Sequence, residues 1–280
     1  MAGDKEITFT FSDAKKIIDN QKETLEISGT MDLPYDLKDR LSDAPTVGKV
    51  NILLSLSLSK TSDIIEGNIT VDNQILSHRM RLKINVENND ETSIAQIQNG
   101  FAFNKPEPIE ENWQQYYVEK PVNLEIFDKS VSVENNDSYI SVFADGLKEY
   151  ERLEDSLYIT LMATTGQLGK PDLAWRPGRA SGDTTKEGHI MMPTPMAQEL
   201  GKNHFSFAIR VSKGLFNESE TAEISHSRLS PSLSYQLQSL NYFIHRLDNK
   251  IWLTKTAIHT NPDESLLHVP NELLVSAVYP

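Results

Sequence analysis

The sequence predicts an all-β protein, a large antiparallel β-sandwich with a few short helices. Apolar and polar residues alternate along several segments, which is typical of strands that bury one face and expose the other. Strands do not alternate with long helices, so a parallel βαβ sheet is not expected. The large number of predicted strands favours two big sheets packed face to face over an immunoglobulin-sized domain.

The predicted strands are spread over the whole chain. The clearest alternations cover residues 7–11, 50–58, 80–86 and 205–211. Further candidates cover residues 24–28, 64–71, 138–143, 156–162, 250–254 and 273–278. Clusters of Asn and Asp predict hairpin tips at residues 88–91 and 135–137.

Three short helices are predicted between these strands. Ser12 is placed to cap a helix over residues 13–20. Residues 195–200 are expected to form one or two turns that end at Gly201. A weaker candidate covers residues 235–240.

Composition excludes several classes of protein. The 280 residues carry a formal charge of −13, which argues against nonspecific binding to nucleic acid or to an anionic membrane. Cysteine is absent, so disulfides and thiolate metal sites are excluded and a reducing compartment is the simpler expectation. With no signal-peptide pattern and no apolar run of about 20 residues, a cytoplasmic location is expected.

Both ends of the chain predict a fragment of a longer protein. A predicted strand begins almost at once, at residue 7, and the apolar run over residues 273–278 is followed by hardly any tail. Frayed polar termini are the usual pattern in complete domains.

The stretch from residue 149 to residue 211 is the most informative part of the chain. Two strand-like runs bracket a long polar loop that contains Trp175, Arg176, Arg179 and Asp183 among glycines and prolines. Loops of this length in compact domains tend to be functional or disordered. An aromatic face beside guanidinium and carboxylate groups suits sugar hydroxyls. A loop held by arginine ion pairs and a half-buried tryptophan is the structural alternative.

Catalytic motifs are otherwise missing. The sequence contains no HExxH, GxSxG or Walker-type pattern. None of the seven histidines lies two residues before an Asp or another His, the spacing that would let one strand supply two metal ligands. The neighbouring carboxylates Glu149 and Glu151, and Glu110 and Glu111, are interpreted as solvated surface acids rather than as acid–base pairs. No catalytic residue and no metal ligand is therefore predicted in this chain.

Several short motifs occur together in a recognisable order. They are residues 78–82 (HRMRL), 146–151 (GLKEYE), 157–166 followed by Leu168-Gly169, 175–178 (WRPG), and 194–198 (TPMAQ) with Gly201 and Phe205. In this order the chain resembles the C-terminal β-sandwich region of glycoside hydrolase family 38, the α-mannosidases. It is most similar to the bacterial branch that includes mannosylglycerate hydrolases. The resemblance covers roughly residues 47–211, and residues 212–280 match more loosely.

The resemblance implies a non-catalytic part of an enzyme. In the family, a zinc ion and an Asp nucleophile lie in an N-terminal (β/α) barrel, and none of those motifs occurs here. The implied fold is a galactose mutarotase-like supersandwich. One such unit over residues 1–280 is expected, with incomplete leading strands and a short helix in 1–46, a core in 47–211 and closing strands in 212–280. The implied partners are the chain's own barrel and a mannose-containing saccharide.

The family's sandwich loops reach toward the sugar site, and this implies substrate-binding residues here. Arg176 and Arg179 are the preferred candidates, followed by Tyr150 and Asp183. Two alternatives remain. The chain is either a stand-alone carbohydrate-binding module or a purely structural domain that supports oligomerisation, in which case a homo-oligomer is expected.

Overall fold

The computed structural model describes residues 7–86, 90–117, 120–168, 192–229 and 270. The strands are β1 Asp13–Ile18, β2 Lys22–Pro34, β3 Val47–Ser59, β4 Ile64–Asn73, β5 Arg79–Asn85, β6 Ser93–Ile97, β7 Gly100–Asn104, β8 Leu124–Ile126, β9 Ser130–Asn135, β10 Ser138–Asp145, β11 Glu149–Leu153, β12 Ser156–Ala163, β13 Gln167–Leu168, β14 Met192–Pro193 and β15 Gly201–Lys213. The helix α1 spans Glu218–Leu229, and short 3₁₀ turns lie at Asp39–Leu41, Trp113–Gln115 and Pro195–Gln198.

These strands form two large antiparallel sheets. Nine strands lie in the order β1-β2-β3-β4-β15-β10-β9-β6-β7, and four in the order β5-β12-β11-β8. A two-residue ladder joins β13 to β14. The predicted all-β class and the antiparallel sandwich are confirmed.

One hydrophobic core lies between the two sheets. Val50, Val71 and Val142 project into it from the nine-stranded sheet, and Leu157 and Ile159 from the four-stranded sheet, all completely buried. Each strand supplies alternate residues to this core, as period-2 patterning requires. Removing this apolar surface from water is the main stabilising contribution to the sandwich.

A glycine in the large sheet makes room for an aromatic ring. Phe207 on β15 lies directly opposite Gly67 on β4. A Cβ atom at residue 67 would stand 2.2 Å from Cζ of Phe207, well inside van der Waals contact. The ring therefore covers the backbone of β4 at this position and fills core volume that a larger residue 67 would occupy.

The helix α1 packs on the outer face of the nine-stranded sheet. Asn217 accepts a hydrogen bond from the backbone N–H of Glu220 and so caps its first turn. Ser225 Oγ donates to Ser130 Oγ at 3.4 Å, and Tyr139 donates to Glu220 at 3.0 Å. The buried face of α1 is Thr, Ala and Ser against a serine-rich sheet face, so the helix has no apolar stripe that sequence patterning could detect.

Two predicted elements near the N-terminus are wrong. Of the residues 13–20 predicted as a helix, 13–18 form the strand β1, because backbone pairing with the long strand β2 outweighs a single capping serine. Residues 7–12 lie outside any strand, although Phe9 still packs against the core.

The structure confirms some of the predicted turns and not others. The hairpin tip at residues 135–137 is confirmed, with Asn136 at φ +51° between β9 and β10. The tip predicted at residues 88–91 lies partly outside the described residues, and the flanking strands β5 and β6 do not form a hairpin, because they belong to different sheets. The helical turn after Thr194 is confirmed, but it ends at Glu199, whose φ is +48°, and Gly201 already begins β15. The candidates at 235–240, 250–254 and 273–278 lie outside the described residues.

Replacing Gly67 with alanine is expected to destabilise the fold by about 1–3 kcal/mol, because the new Cβ displaces the buried ring of Phe207. Chemical denaturation measures the change. Asn68→Ala, on the outward-facing neighbour in β4, is the matched control and should change stability by less than about 0.5 kcal/mol. A second change, Phe207→Leu, should make the alanine at residue 67 less costly; equal costs in both backgrounds would show that the ring is not the cause.

Candidate functional site

The loop predicted to be functional is carried on a short stem. β13 and β14 pair through Gln167 with Pro193 and through Leu168 with Met192, so they hold the two ends of the 169–191 segment side by side. Arg176, Arg179 and Asp183 lie within that segment, outside the described residues, and their contact with a substrate stays a prediction. The described structure shows how the base of this loop is fixed.

The residues after β14 are hydrogen bonded to those before β13. Thr194 donates its backbone N–H to the carbonyl of Gly166 at 2.9 Å and its hydroxyl to the carbonyl of Thr165 at 3.0 Å. Thr165 in turn donates its backbone N–H to Ala197 at 3.1 Å. The Thr-Pro-Met-Ala-Gln turn and the end of β12 thus form one closed hydrogen-bonded unit at the foot of the stem.

Gln198 joins this unit to the turn between β4 and β5. Its side-chain oxygen accepts from the backbone N–H of Ser77 at 2.7 Å, and its amide donates to Ser77 Oγ at 3.2 Å. Asn73 donates to the carbonyl of Gln198 at 3.2 Å. A Cβ at residue 166 would stand 2.6 Å from the Gln198 amide nitrogen, so a larger residue there would displace this side chain. Arg40 fixes the same turn by donating to the carbonyl of Ser77 at 2.8 Å.

His78 lies beside this turn and is held by Thr164. Their backbones exchange a hydrogen bond, and His78 donates its own backbone N–H to Thr164 Oγ1 at 2.9 Å. Burial, together with the nearby Arg40 cation, lowers the pKa of His78 to about 4. Among the described residues, Nε2 of His78 is buried without a hydrogen-bond partner. The ring is therefore neutral near pH 7.

A lattice of charged side chains covers the outer face of the four-stranded sheet. Arg79 on β5 contacts Glu149 on β11 at 2.5 Å and also donates to Thr160 on β12, the strand between them. One step along the strands, Arg81 pairs with Glu151 at 2.6 Å. The Arg81 guanidinium also lies over the ring of Tyr158, 4.2 Å from its centroid, in a cation–π contact.

This lattice explains two of the motifs found in the sequence. The HRMRL and GLKEYE motifs supply its cations and anions from opposite sides of β12. Glu149 and Glu151 share one face of β11, but each is occupied by an arginine. Their pairing does not resemble two free carboxylates across a scissile bond.

Tyr150, the fourth predicted site residue, is completely buried between the sheets. Its hydroxyl lies 2.9 Å from Ser93 Oγ and accepts from the Asn104 amide at 2.9 Å. Burial raises the pKa of the phenol. Its contact with sugar stays a prediction, and the contacts described here tie the four-stranded sheet to β6 and β7.

A cleft opens beside Tyr150 at the edge of the sandwich. It lies between β7, the last strand of the large sheet, and β8, the last strand of the small one, with a volume of about 740 Å³. Its lining includes Lys105, Glu107, Glu110, Tyr116, Tyr117 and Glu125. Sequence reasoning missed this cleft. Aromatic and acidic residues are interleaved over residues 103–125 of the sequence. This pattern indicates a cleft only once the positions of β7 and β8 are known.

The described residues contain no cluster of three or more His, Asp or Glu side chains that could hold a metal ion. Within the same ranges, no helix is both long and apolar enough to cross a bilayer.

Comparisons with known proteins agree with this architecture. No protein-family model matches the chain. The "Putative mannosylglycerate hydrolase" of Halalkalibacterium halodurans is 25% identical over 220 residues, which are 71% of this chain and 21% of that protein.

Two solved structures from Enterococcus faecalis share the fold. One is a protein in glycosyl hydrolase family 38, with a TM-score of 0.60 and 20% identity over 80% of this chain and 25% of that one. The other is an α-mannosidase from strain V583, with a TM-score of 0.62 and 22% identity over 80% of this chain and 24% of that one.

The fold and the motifs together define a large antiparallel β-sandwich. More specifically, the chain is a region related to family 38 mannosidases, which confirms the resemblance found in the sequence. The chain spans about a fifth to a quarter of the length of the relatives it matches.

The buried neutral state of His78 makes stability depend on pH. The folded-state pKa of about 4 lies below the ordinary value of 6.5, so the unfolded chain binds a proton first as the pH falls. This stabilisation is complete above pH 6.5 and is lost between pH 6.5 and pH 4. Between pH 7.5 and pH 5.0 we expect a loss of about 2 kcal/mol, measured by urea unfolding. His78→Gln should remove most of this difference; an unchanged pH dependence in that variant would assign it to other groups.

Arg81 and Glu151 should be energetically coupled. Because both side chains are four-fifths buried and Arg81 also stacks on Tyr158, a double-mutant cycle with alanine is expected to give about 1 kcal/mol of coupling. Urea denaturation of the four proteins measures it. The exposed pair Lys16 and Glu23 is the control and should show no measurable coupling. Equal coupling in both pairs would contradict a special role for the lattice.

Proposed function

We propose that this chain is a non-catalytic β-sandwich of a family 38 α-mannosidase that hydrolyses α-mannosidic bonds. In this proposal the sandwich packs on a zinc-dependent catalytic barrel outside the present sequence and holds the 169–191 segment toward the sugar site. The convergence of three motifs at the foot of the stem supports it best. His78, Thr164 and the turn from Thr194 to Gln198 meet there through hydrogen bonds between segments far apart in sequence.

A non-catalytic role is supported by the state of the acid–base candidates. Glu149 and Glu151 are each paired with an arginine, and His78 has a pKa far below neutral. The described residues offer no donor set suited to zinc. No part of a zinc-dependent step is therefore assigned to them.

The arginines of the loop suggest the kind of substrate. Guanidinium groups bind carboxylate or phosphate in a bidentate geometry, so Arg176 and Arg179 would suit an anionic mannoside such as mannosylglycerate or a phosphorylated relative. Asp183 would accept hydrogen bonds from sugar hydroxyls. A cytoplasmic, bacterial enzyme is the setting in which we place this activity.

A stand-alone carbohydrate-binding module is the second candidate. The aromatic and acidic cleft between β7 and β8 favours it, because a binding site of this kind needs no catalytic partner.

Replacing Arg176 or Arg179 with alanine in the enzyme that contains this chain should lower kcat/KM for an anionic mannoside by about 10- to 100-fold. The reason is the loss of charge-assisted hydrogen bonds worth about 1.5–3 kcal/mol. Steady-state kinetics and thermal unfolding are measured together, and the melting temperature should not change. Lys16→Ala, which removes an exposed cation on β1, is the control and should change neither quantity.

Two outcomes would contradict the proposal. Unchanged kinetics in both arginine variants would leave the loop with a scaffolding role only. Chelator-sensitive turnover of a 4-nitrophenyl α-mannoside by the 280-residue chain alone, supplied with zinc, would show that the chain itself is catalytic.

A further inference from the structure

The edge cleft is bounded by two strands that have no outer neighbour in their sheets. β7 ends the nine-stranded sheet and β8 ends the four-stranded sheet. Described residues between them, within 105–117 and 121–123, line a cleft of about 740 Å³ at this edge. This volume is within the range of sites that bind small molecules, about 300–1,000 Å³.

The wall of the cleft is fixed by its own hydrogen bonds. Asn123 acts as a clamp: its side-chain oxygen accepts from the backbone N–H of Glu107 at 3.1 Å and its amide donates to the Glu107 carbonyl at 3.0 Å. Tyr116 and Tyr117 both donate their backbone N–H groups to Trp113, at 3.0 and 2.9 Å. Trp113 is itself 93% buried, so it anchors the turn that carries the two tyrosines. A site built in this way is largely formed before any ligand binds.

The two tyrosine side chains at the cleft are exposed. Tyr116 retains 68% and Tyr117 58% of its accessible surface, although aromatic rings of this size usually contribute to a core or an interface. Val122 is also 63% exposed beside them. The cleft therefore offers flat apolar surface to a ligand, as aromatic stacking platforms do.

The polar part of the lining selects the charge of the ligand. Three carboxylates, on Glu107, Glu110 and Glu125, face one ammonium group, on Lys105. The field in the cleft is negative and repels an anion. Carboxylates and the amide of Asn104 accept hydrogen bonds, so the ligand must carry several donors as well as an apolar face. Neutral sugars combine axial and equatorial hydroxyls with C–H faces and meet both requirements.

We propose that this cleft binds a neutral oligosaccharide, with Tyr116 and Tyr117 stacking on sugar rings and the glutamates accepting their hydroxyl protons in hydrogen bonds. The cleft lies at the opposite edge of the four-stranded sheet from the stem of the 169–191 loop, which adjoins the turn before β5. The inference rests on the second candidate of the proposed function, carbohydrate binding by the sandwich itself, and it names the site and the ligand class; binding here needs neither a barrel nor an anionic substrate.

Isothermal titration calorimetry of the 280-residue chain with neutral disaccharides (maltose, cellobiose and α-1,6-mannobiose) tests the proposal. At least one of them should bind with a Kd of about 0.1–10 mM. Tyr116→Ala and Tyr117→Ala should each weaken binding at least about tenfold, and Glu110→Gln about threefold. The variants concern exposed side chains, and circular dichroism with thermal unfolding verifies that they fold. Phe11→Ala, an exposed aromatic residue beside β2 at the other end of the nine-stranded sheet, is the matched control and should bind like the parent.

Three results would overturn the proposal: no heat with any disaccharide at about 20 mM, binding that both tyrosine variants retain, or binding of spermine in place of sugars. Analytical ultracentrifugation adds a further contrary outcome. A dimer that dissociates in the Tyr116→Ala variant would make the cleft a contact between copies of the chain. None of these results touches the kinetics of the Arg176 and Arg179 variants, so failure here is distinguishable from failure of the proposed function.

Discussion

The structure depends on the backbone hydrogen bonds that hold β12 and β15 between two neighbouring strands each, β12 in the small sheet and β15 in the large one. β15 lies at the centre of the nine-stranded sheet, hydrogen bonded along its length to β4 and β10, and β12 lies inside the four-stranded sheet between β5 and β11. The chain passes from β12 to β15 through the stem and the 169–191 segment. Both ends of that segment are therefore attached to strands that cannot move without opening the core. A long polar loop can keep a fixed base only under this constraint.

The side chains at that base form hydrogen bonds with the backbone. Gln198, Asn73 and Thr164 direct their polar atoms to main-chain groups, and each closes a gap between segments that are distant in sequence. Leaving a buried polar group without a hydrogen bond costs free energy. Because only one arrangement of the turn satisfies these groups together, they favour that geometry. The same holds on the outer face of the small sheet, where arginines and glutamates connect β5 to β11 across β12. Within the described residues, the motifs that carry the resemblance to family 38 are thus explained by architecture.

Sequence patterning predicted the strands whose two faces differ in solvent exposure. β3, β5 and β15 alternate clearly, since one face meets the core and the other meets water. Patterning failed for elements whose structure depends on the neighbouring strand or sheet face rather than on their own sequence. β1 is exposed on both faces and is a strand only because β2 is beside it, and α1 buries Thr221, Ala222 and Ser225 against serines, which leaves no apolar period. The same limit applies to sites. The loop could be found because its residues are contiguous, whereas the edge cleft combines β7, β8 and the segment between them.

The charge of the chain is not distributed evenly between the two candidate binding regions. The 169–191 segment contains Arg176, Arg179 and Lys186 within a protein of net charge −13, whereas the cleft presents three carboxylates against Lys105. The carboxylates of the cleft repel an anion, whereas the cationic side chains of the 169–191 segment attract one. The stem of that segment adjoins the turn before β5, and the cleft lies beside β8, at the other edge of the small sheet. The two ligands proposed above, an anionic mannoside for the loop and a neutral glycan for the cleft, therefore differ in charge as the two sets of side chains do.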